Sequence, residues 1–152
     1  MIIGFDLDMT LVDSSAGITH CMDYILTKYG ITSISKQEMY NTIGVPLRDA
    51  FLKWIPDEER CDKIVAEYRA IFNEIALPKI VLLKGALDTL KAVKRIGARV
   101  LVVSSRGQQS LEDVIKFAGI EEYVIVRGLI FMFRAMAITL YCCRHIPYLV
   151  VH

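Results

Sequence analysis

No acidic residue follows Glu122 in this 152-residue chain, and no lysine follows Lys116. The C-terminal segment therefore offers no carboxylate to a metal ion and no ammonium to an anion. Charge of one sign is also scarce. The net charge is +1, which gives no support to a nucleic-acid partner or an acidic surface. The four cysteines, Cys21, Cys61, Cys142 and Cys143, lack paired metal-ligand spacing. The adjacent Cys142 and Cys143 rarely bond each other, so a reducing, cytoplasmic setting is expected. Long apolar runs are missing as well. Arg134 divides the C-terminal one, and a span needs roughly 20 residues, so a membrane partner is not expected. Asp6 and Asp8 interrupt the N-terminal apolar run, which argues against a signal peptide. What is abundant is apolar residue, 54% of the chain, unevenly spread. That composition and length predict one domain with a modest core.

The most informative segment is Gly4-Phe5-Asp6-Leu7-Asp8-Met9-Thr10-Leu11-Val12-Asp13-Ser14. A buried strand beginning at Ile2 ends here, where polar side chains emerge. Two carboxylates two residues apart on extended backbone point to the same side. They repel unless a cation or a shared proton relieves them. That arrangement suits metal-assisted chemistry in which one carboxylate attacks and the other moves a proton.

The next stretch is helical. Ile18 to Tyr29 carries apolar residues near 3.6-residue spacing and stops at Gly30. Ser35-Lys36-Gln37-Glu38 reads as a capping box. Gly44-Val45-Pro46-Leu47 turns into a helix through Trp54. Pro56-Asp57-Glu58-Glu59 opens a longer one with Ile64, Tyr68, Ile71, Phe72 and Ile75 on one face. Pro78 ends it, so residues 15–78 read as four helices. The second half alternates. A helix from Gly85 to Arg95 is capped by Gly97. The apolar run Val100-Leu101-Val102-Val103 is a central parallel strand, followed by Ser104-Ser105. A helix from Ser110 to Gly119 and a strand from Tyr123 to Val126 follow. This is the grammar of a doubly wound α/β fold, in which ligands bind beyond the carboxyl ends of the strands.

The segment Gly4–Ser14 resembles the first motif of the haloacid dehalogenase-like (HAD) hydrolases, Asp-x-Asp-x-Thr followed by Leu-Val/Ile-Asp-Ser. Met9 stands where many phosphatases of the family have glycine. Lys84-Gly85-Ala86-Leu87-Asp88-Thr89-Leu90, with Lys94 and Gly97, resembles the stretch before the family's second motif. That motif is a Ser or Thr ending an apolar strand, here Ser104 with Ser105 beside it. The resemblance implies a Rossmann-type core of residues 1–14 and 79–126, with residues 15–78 inserted as a helical cap. It implies a magnesium-dependent phosphatase of small phosphorylated metabolites. Asp6 would be the nucleophile that becomes an aspartyl phosphate, and Asp8 the acid and then base. Asp6 and Asp8 would hold the metal, Thr10 would orient the loop, and Thr10, Ser104 and Ser105 would bind the phosphoryl group. Thr42-Ile43-Gly44-Val45-Pro46-Leu47-Arg48 resembles the cap loop of phosphoglycolate-phosphatase-like members, which makes Arg48 a candidate for an anionic substrate or else a solvated arginine in a first helical turn. Trp54 and Tyr68 read as cap core, and His20 as a surface or packing residue.

The family pattern also calls for a Lys or Arg, and for an acidic motif that completes the metal site. The sequence after residue 120 has no such acidic motif, and Arg127, Arg134, Arg144, His145, His152 and Cys142-Cys143 cannot replace a carboxylate. Residues 127–152 form an atypical apolar tail in place of the expected C-terminal strands. A buried helix and strand of an abbreviated sheet is one account. A frameshifted or truncated gene is the favoured one, because Cys142 to Pro147 read one nucleotide out of frame can encode Ala-Ala-Asp-Ile-Tyr-Leu. Two other functions stay open: a non-catalytic remnant that binds phosphate or a protein, and a phosphomutase.

Overall fold

A computed structural model describes residues 1–129 and 148–151. The expected strand at the N-terminus is β1, Ile2–Asp6, whose Ile3 and Phe5 are buried. A short β2, Val12–Asp13, follows the acidic loop. Four helices come next: α1 Ser15–Lys28, α2 Lys36–Tyr40, α3 Leu47–Leu52 and α4 Glu58–Ile75. A 3-10 turn, Leu77–Lys79, leads to β3, Val81–Leu82. Then follow α5 Ala86–Arg95, β4 Arg99–Ser104, α6 Gln108–Phe117, a 3-10 turn Glu121–Tyr123 and β5 Val124–Leu129. Residues Tyr148–Val151 form β6.

The chain divides into two compact units, Met1–Asp13 with Val81–His152, and Ser14–Ile80. In the first, a sheet runs in the order β5-β4-β1-β6. Its described pairings are all parallel. The run Val100–Val103 is its interior, as its unbroken apolar character requires. Helix α5 packs on β4 and α6 on β5, burying Leu90, Val93, Leu111, Val114 and Ile115. Gly97 has φ +73°, the left-handed conformation that lets the chain leave α5 and enter β4 without strain.

Three features differ from the sequence expectation. Strands β2 and β3 pair antiparallel, Val12 with Leu82 and Asp13 with Val81. Two-residue strands carry no periodicity, so no pattern announces them. Helix α6 starts two residues earlier than expected, after Gly107, and β5 runs three residues past Val126 to Leu129. The tail is not wholly outside the fold either, since β6 occupies the sheet position beside β1, Ile2 opposite Tyr148 through Phe5 opposite Val151. The expectations for Arg134, Cys142, Cys143, Arg144, His145 and His152 lie outside the described residues.

The second unit is helical throughout. The capping box predicted at Ser35 forms: its hydroxyl accepts from the Glu38 N–H at 3.2 Å, and the Glu38 carboxylate accepts from the Ser35 N–H at 2.8 Å. Phe51, Trp54, Tyr68 and Phe72 make an aromatic cluster with centroid separations of 5.7–6.1 Å. Trp54 and Tyr68 are therefore packing residues, worth about 0.5–1.5 kcal/mol per ring pair beyond their burial. His20 is exposed on α1.

Candidate active site

Asp6 is the last residue of β1, and its register partner on β4 is Val103. Ser104 is one residue further along β4. Parallel pairing thus brings the acidic loop and the serines to the same carboxyl end of the sheet, where ligands bind in such folds.

The loop from Leu7 to Val12 is held by its own backbone. The Leu7 carbonyl accepts from the N–H groups of Thr10, Leu11 and Val12 at 3.3, 2.9 and 3.0 Å, and Met9 N–H donates to Val12 O at 2.7 Å. Leu7 and Leu11 point into the core, at 0% and 2% exposure. The alternation leaves Asp6, Asp8 and Thr10 half-buried and facing out of the packed layer. The tight turn forces Met9 to φ +63°. This is the left-handed region, where a side chain is strained by about 1–2 kcal/mol and glycine is not.

Thr10 donates its hydroxyl to Asp6 Oδ2 at 3.5 Å, a long contact that biases the carboxylate's orientation. Ser104 is buried, at 4% exposure, and its Oγ accepts from the Arg106 N–H at 3.2 Å. Having accepted through a lone pair, that hydroxyl retains its proton to donate. Ser105 is half-buried.

Sequence reasoning passed over Arg106. Its Nε donates to Asp8 Oδ2 at 2.8 Å and its Nη2 to Asp8 Oδ1 at 2.7 Å, while Nη1 donates to Ser110 Oγ at 3.0 Å. Both side chains of the pair are 9% exposed. This two-pronged geometry is the strongest form of arginine–carboxylate pairing. The only local signal was an arginine two residues after a strand-ending serine, and its partner lies 98 residues away in sequence.

Arg48, the candidate from the cap loop, sits in the first turn of α3. It pairs with Asp62 at 2.6 Å and Glu58 at 2.7 Å on α4. These two carboxylates, Asp62 above all, hold the guanidinium even more firmly protonated than usual, and the Arg48 guanidinium in turn holds the Asp62 carboxyl below its ordinary range.

A metal site can be tested against the donors present. No cluster of three His, Cys, Asp or Glu side chains fit to hold a metal occurs among the described residues. The Asp8 carboxylate is engaged by Arg106, and the other hard donors of this loop are the Asp6 carboxylate, which accepts from Thr10, and main-chain oxygens. Hard oxygen donors of this kind suit magnesium, which is commonly bound by one or two carboxylates together with substrate phosphate and water. The residues therefore fit magnesium in donor type.

Comparison with known proteins gives a consistent picture. The family model described as haloacid dehalogenase-like hydrolase matches residues 2–128. IndB of Dickeya dadantii, named as a probable phosphatase, is 31% identical over 124 residues, covering 78% of this chain and 54% of that protein. Pyrophosphatase PpaX of Bacillus cereus is 24% identical over 119 residues, again 78% and 54%. The chain thus spans about half the length of the curated relatives it matches. Among solved structures, a haloacid dehalogenase-like hydrolase from Streptococcus pneumoniae has a TM-score of 0.83 at 20% identity, covering 99% of this chain and 74% of that one. A predicted phosphatase from Clostridium acetobutylicum has a TM-score of 0.79 at 22% identity, covering 92% and 70%. At these identities the structural matches speak to the fold alone.

Proposed function

The chain belongs to the haloacid dehalogenase-like hydrolases, and from that membership we propose a magnesium-dependent phosphatase of small phosphorylated metabolites whose reacting groups are Asp6 and Asp8. One observation carries the reading: β1 and β4 pair in parallel, so that Asp6, Asp8 and Ser104 meet at one end of the sheet.

In this reading an Asp6 oxygen attacks phosphorus, the bond to the ester oxygen breaks, and Asp8 gives that oxygen a proton. Water then attacks the aspartyl phosphate. Asp8 takes its proton, and inorganic phosphate leaves with Asp6 restored. Thr10 orients the Asp6 carboxylate, and the Ser104 hydroxyl and Ser105 donate to phosphoryl oxygens. Magnesium, held by the Asp6 carboxylate and the Asp8 main-chain oxygen, would neutralise charge between the nucleophile and the phosphoryl group. Arg48 is the candidate contact for an anionic substrate in the helical unit, where Glu58 and Asp62 compete for its guanidinium. Cys21 and Cys61 are free and buried, which accords with a reducing, cytoplasmic setting.

The sparse carboxylate set among the described residues favours one second reading, a chain that binds phosphate without turning it over. The experiment is phosphate release from p-nitrophenyl phosphate with and without magnesium, for the chain and for Asp6→Asn. The expected result is magnesium-dependent release that falls by about a thousandfold or more in Asp6→Asn, as when a nucleophile is removed. Equal release by both proteins overturns the phosphatase reading. Phosphate binding without release establishes the second.

A further inference from the structure

We propose that Arg106 is a substrate-positioning latch: its guanidinium holds Asp8 while the site is free of anions and moves onto phosphoryl oxygens when a phosphate enters. The inference rests on the phosphatase reading and adds a residue which that reading leaves unused.

Three contacts carry it. Arg106 is anchored by its main-chain N–H on Ser104 Oγ at 3.2 Å, the hydroxyl assigned to the phosphoryl group. Its Nη1 is steered by Ser110 Oγ at 3.0 Å. Its Nε and Nη2 donate to the two oxygens of Asp8 at 2.8 and 2.7 Å. One lone pair on each Asp8 oxygen is thus committed to the guanidinium, which orients the carboxylate toward Arg106 rather than toward a leaving group in this arrangement. A phosphoryl group offers the same guanidinium two acceptor oxygens at matching spacing and carries more charge than a carboxylate. It would arrive next to Ser104, within the swing of a side chain anchored there. The substrate's own charge then releases Asp8 from the guanidinium. In an empty site the two stay paired.

The test is calorimetric titration of the whole chain with orthophosphate, which reads binding without turnover. It compares the chain with Arg106→Gln, Arg106→Lys, Asp8→Asn and the double variant. Arg106→Gln is expected to weaken orthophosphate binding about tenfold or more, and Arg106→Lys by less, since a point charge remains without the fork. Asp8→Asn is expected to tighten binding several-fold by releasing the guanidinium, and that gain should vanish when Arg106 is also replaced. Thermal melts establish folding. If Arg106→Gln does not fold, Arg106→Lys and the charge-neutral double variant carry the comparison. Affinity unchanged within about twofold in folded Arg106 variants overturns the latch, and so does an Asp8→Asn gain that persists without Arg106. Failure of the folded chain to bind orthophosphate overturns it too. Turnover dependent on Asp6 alongside Arg106-independent binding removes the latch and keeps the phosphatase. Arg106-dependent binding without turnover does the reverse.

Discussion

The Arg106–Asp8 pair makes a quantitative demand on stability that is separate from its role in binding. Replacing Arg106 by Gln leaves the Asp8 carboxylate in a site where it is 9% exposed. An exposed ion pair contributes about 0–1 kcal/mol. Breaking a buried one by removing a single partner costs about 3–5 kcal/mol, because the charge left behind is uncompensated. The two-pronged contact and the 9% side-chain exposure, in residues that are otherwise half-buried, put the loss between these limits, at about 2–4 kcal/mol. Against a total stability of about 5–15 kcal/mol, the loss is readily measured. Asp8→Asn strands the guanidinium instead, which is weakly hydrated and keeps its bond to Ser110, so its penalty should be smaller, about 1–3 kcal/mol. The double variant removes both charges and substitutes groups able to hydrogen-bond, so it should lie within about 1 kcal/mol of the parent. Urea unfolding of the four proteins at neutral pH closes the cycle. Single penalties that add to the double within about 0.5 kcal/mol would refute the claim that the pair is coupled.

Two further outcomes follow from the helical unit. In α1, a Cβ on Gly17 would overlap the Ala76 carbonyl oxygen and lie 3.1 Å from its carbon; alanine's helix advantage of about 1 kcal/mol is outweighed by a clash with main chain, and Gly17→Ala should lower stability by about 1–3 kcal/mol, whereas a rise in the urea midpoint would show that the approach is not so close. Glu67 on α4 accepts from Lys28 and from the Tyr29 hydroxyl, which lowers its carboxyl pKa, Lys28 first; a depressed pKa means stabilisation that is present above the ordinary glutamate value near 4.3 and lost as pH falls through the folded value, so the Tm gap between the chain and Glu67→Gln should be open at pH 6 and narrow as pH falls below about 4, and the reading is contradicted if the gap widens in acid.

Much of the fold was readable because its signals are local. Val100–Val103 is an unbroken apolar run, and only a strand covered on both faces tolerates one. The Ser35 and Glu38 capping box places the start of α2 to the residue. Gly97 terminates α5 because the chain needs a left-handed residue there. What escaped has no local signal. Val12–Asp13 and Val81–Leu82 pair across a long insertion, and two residues cannot show a period. Strand β6, Tyr148–Val151, is a four-residue apolar run near the end of a largely apolar tail, so no alternation separates it from its flanks.

The site divides the same way. Asp6, Asp8 and Thr10 were legible because alternation on a strand end puts them on one side, with Leu7 and Leu11 inward. Met9 departs from the family's glycine, and the loop nevertheless adopts the left-handed turn that glycine favours, with φ +63°. The turn is therefore imposed by the Leu7 carbonyl, which gathers three N–H groups, rather than by the residue at its apex. Arg106 was not legible, because its meaning depends on a carboxylate 98 residues away. Once β1 and β4 are known to be neighbours, though, a basic residue just past Ser104 comes within reach of the acids at the end of β1, as Arg106 does of Asp8. A doubly wound sheet brings the loops after neighbouring parallel strands to one edge. Charges of opposite sign in those two loops will pair when nothing else lies between them, and that ion pair is the contact an entering anion has to exchange.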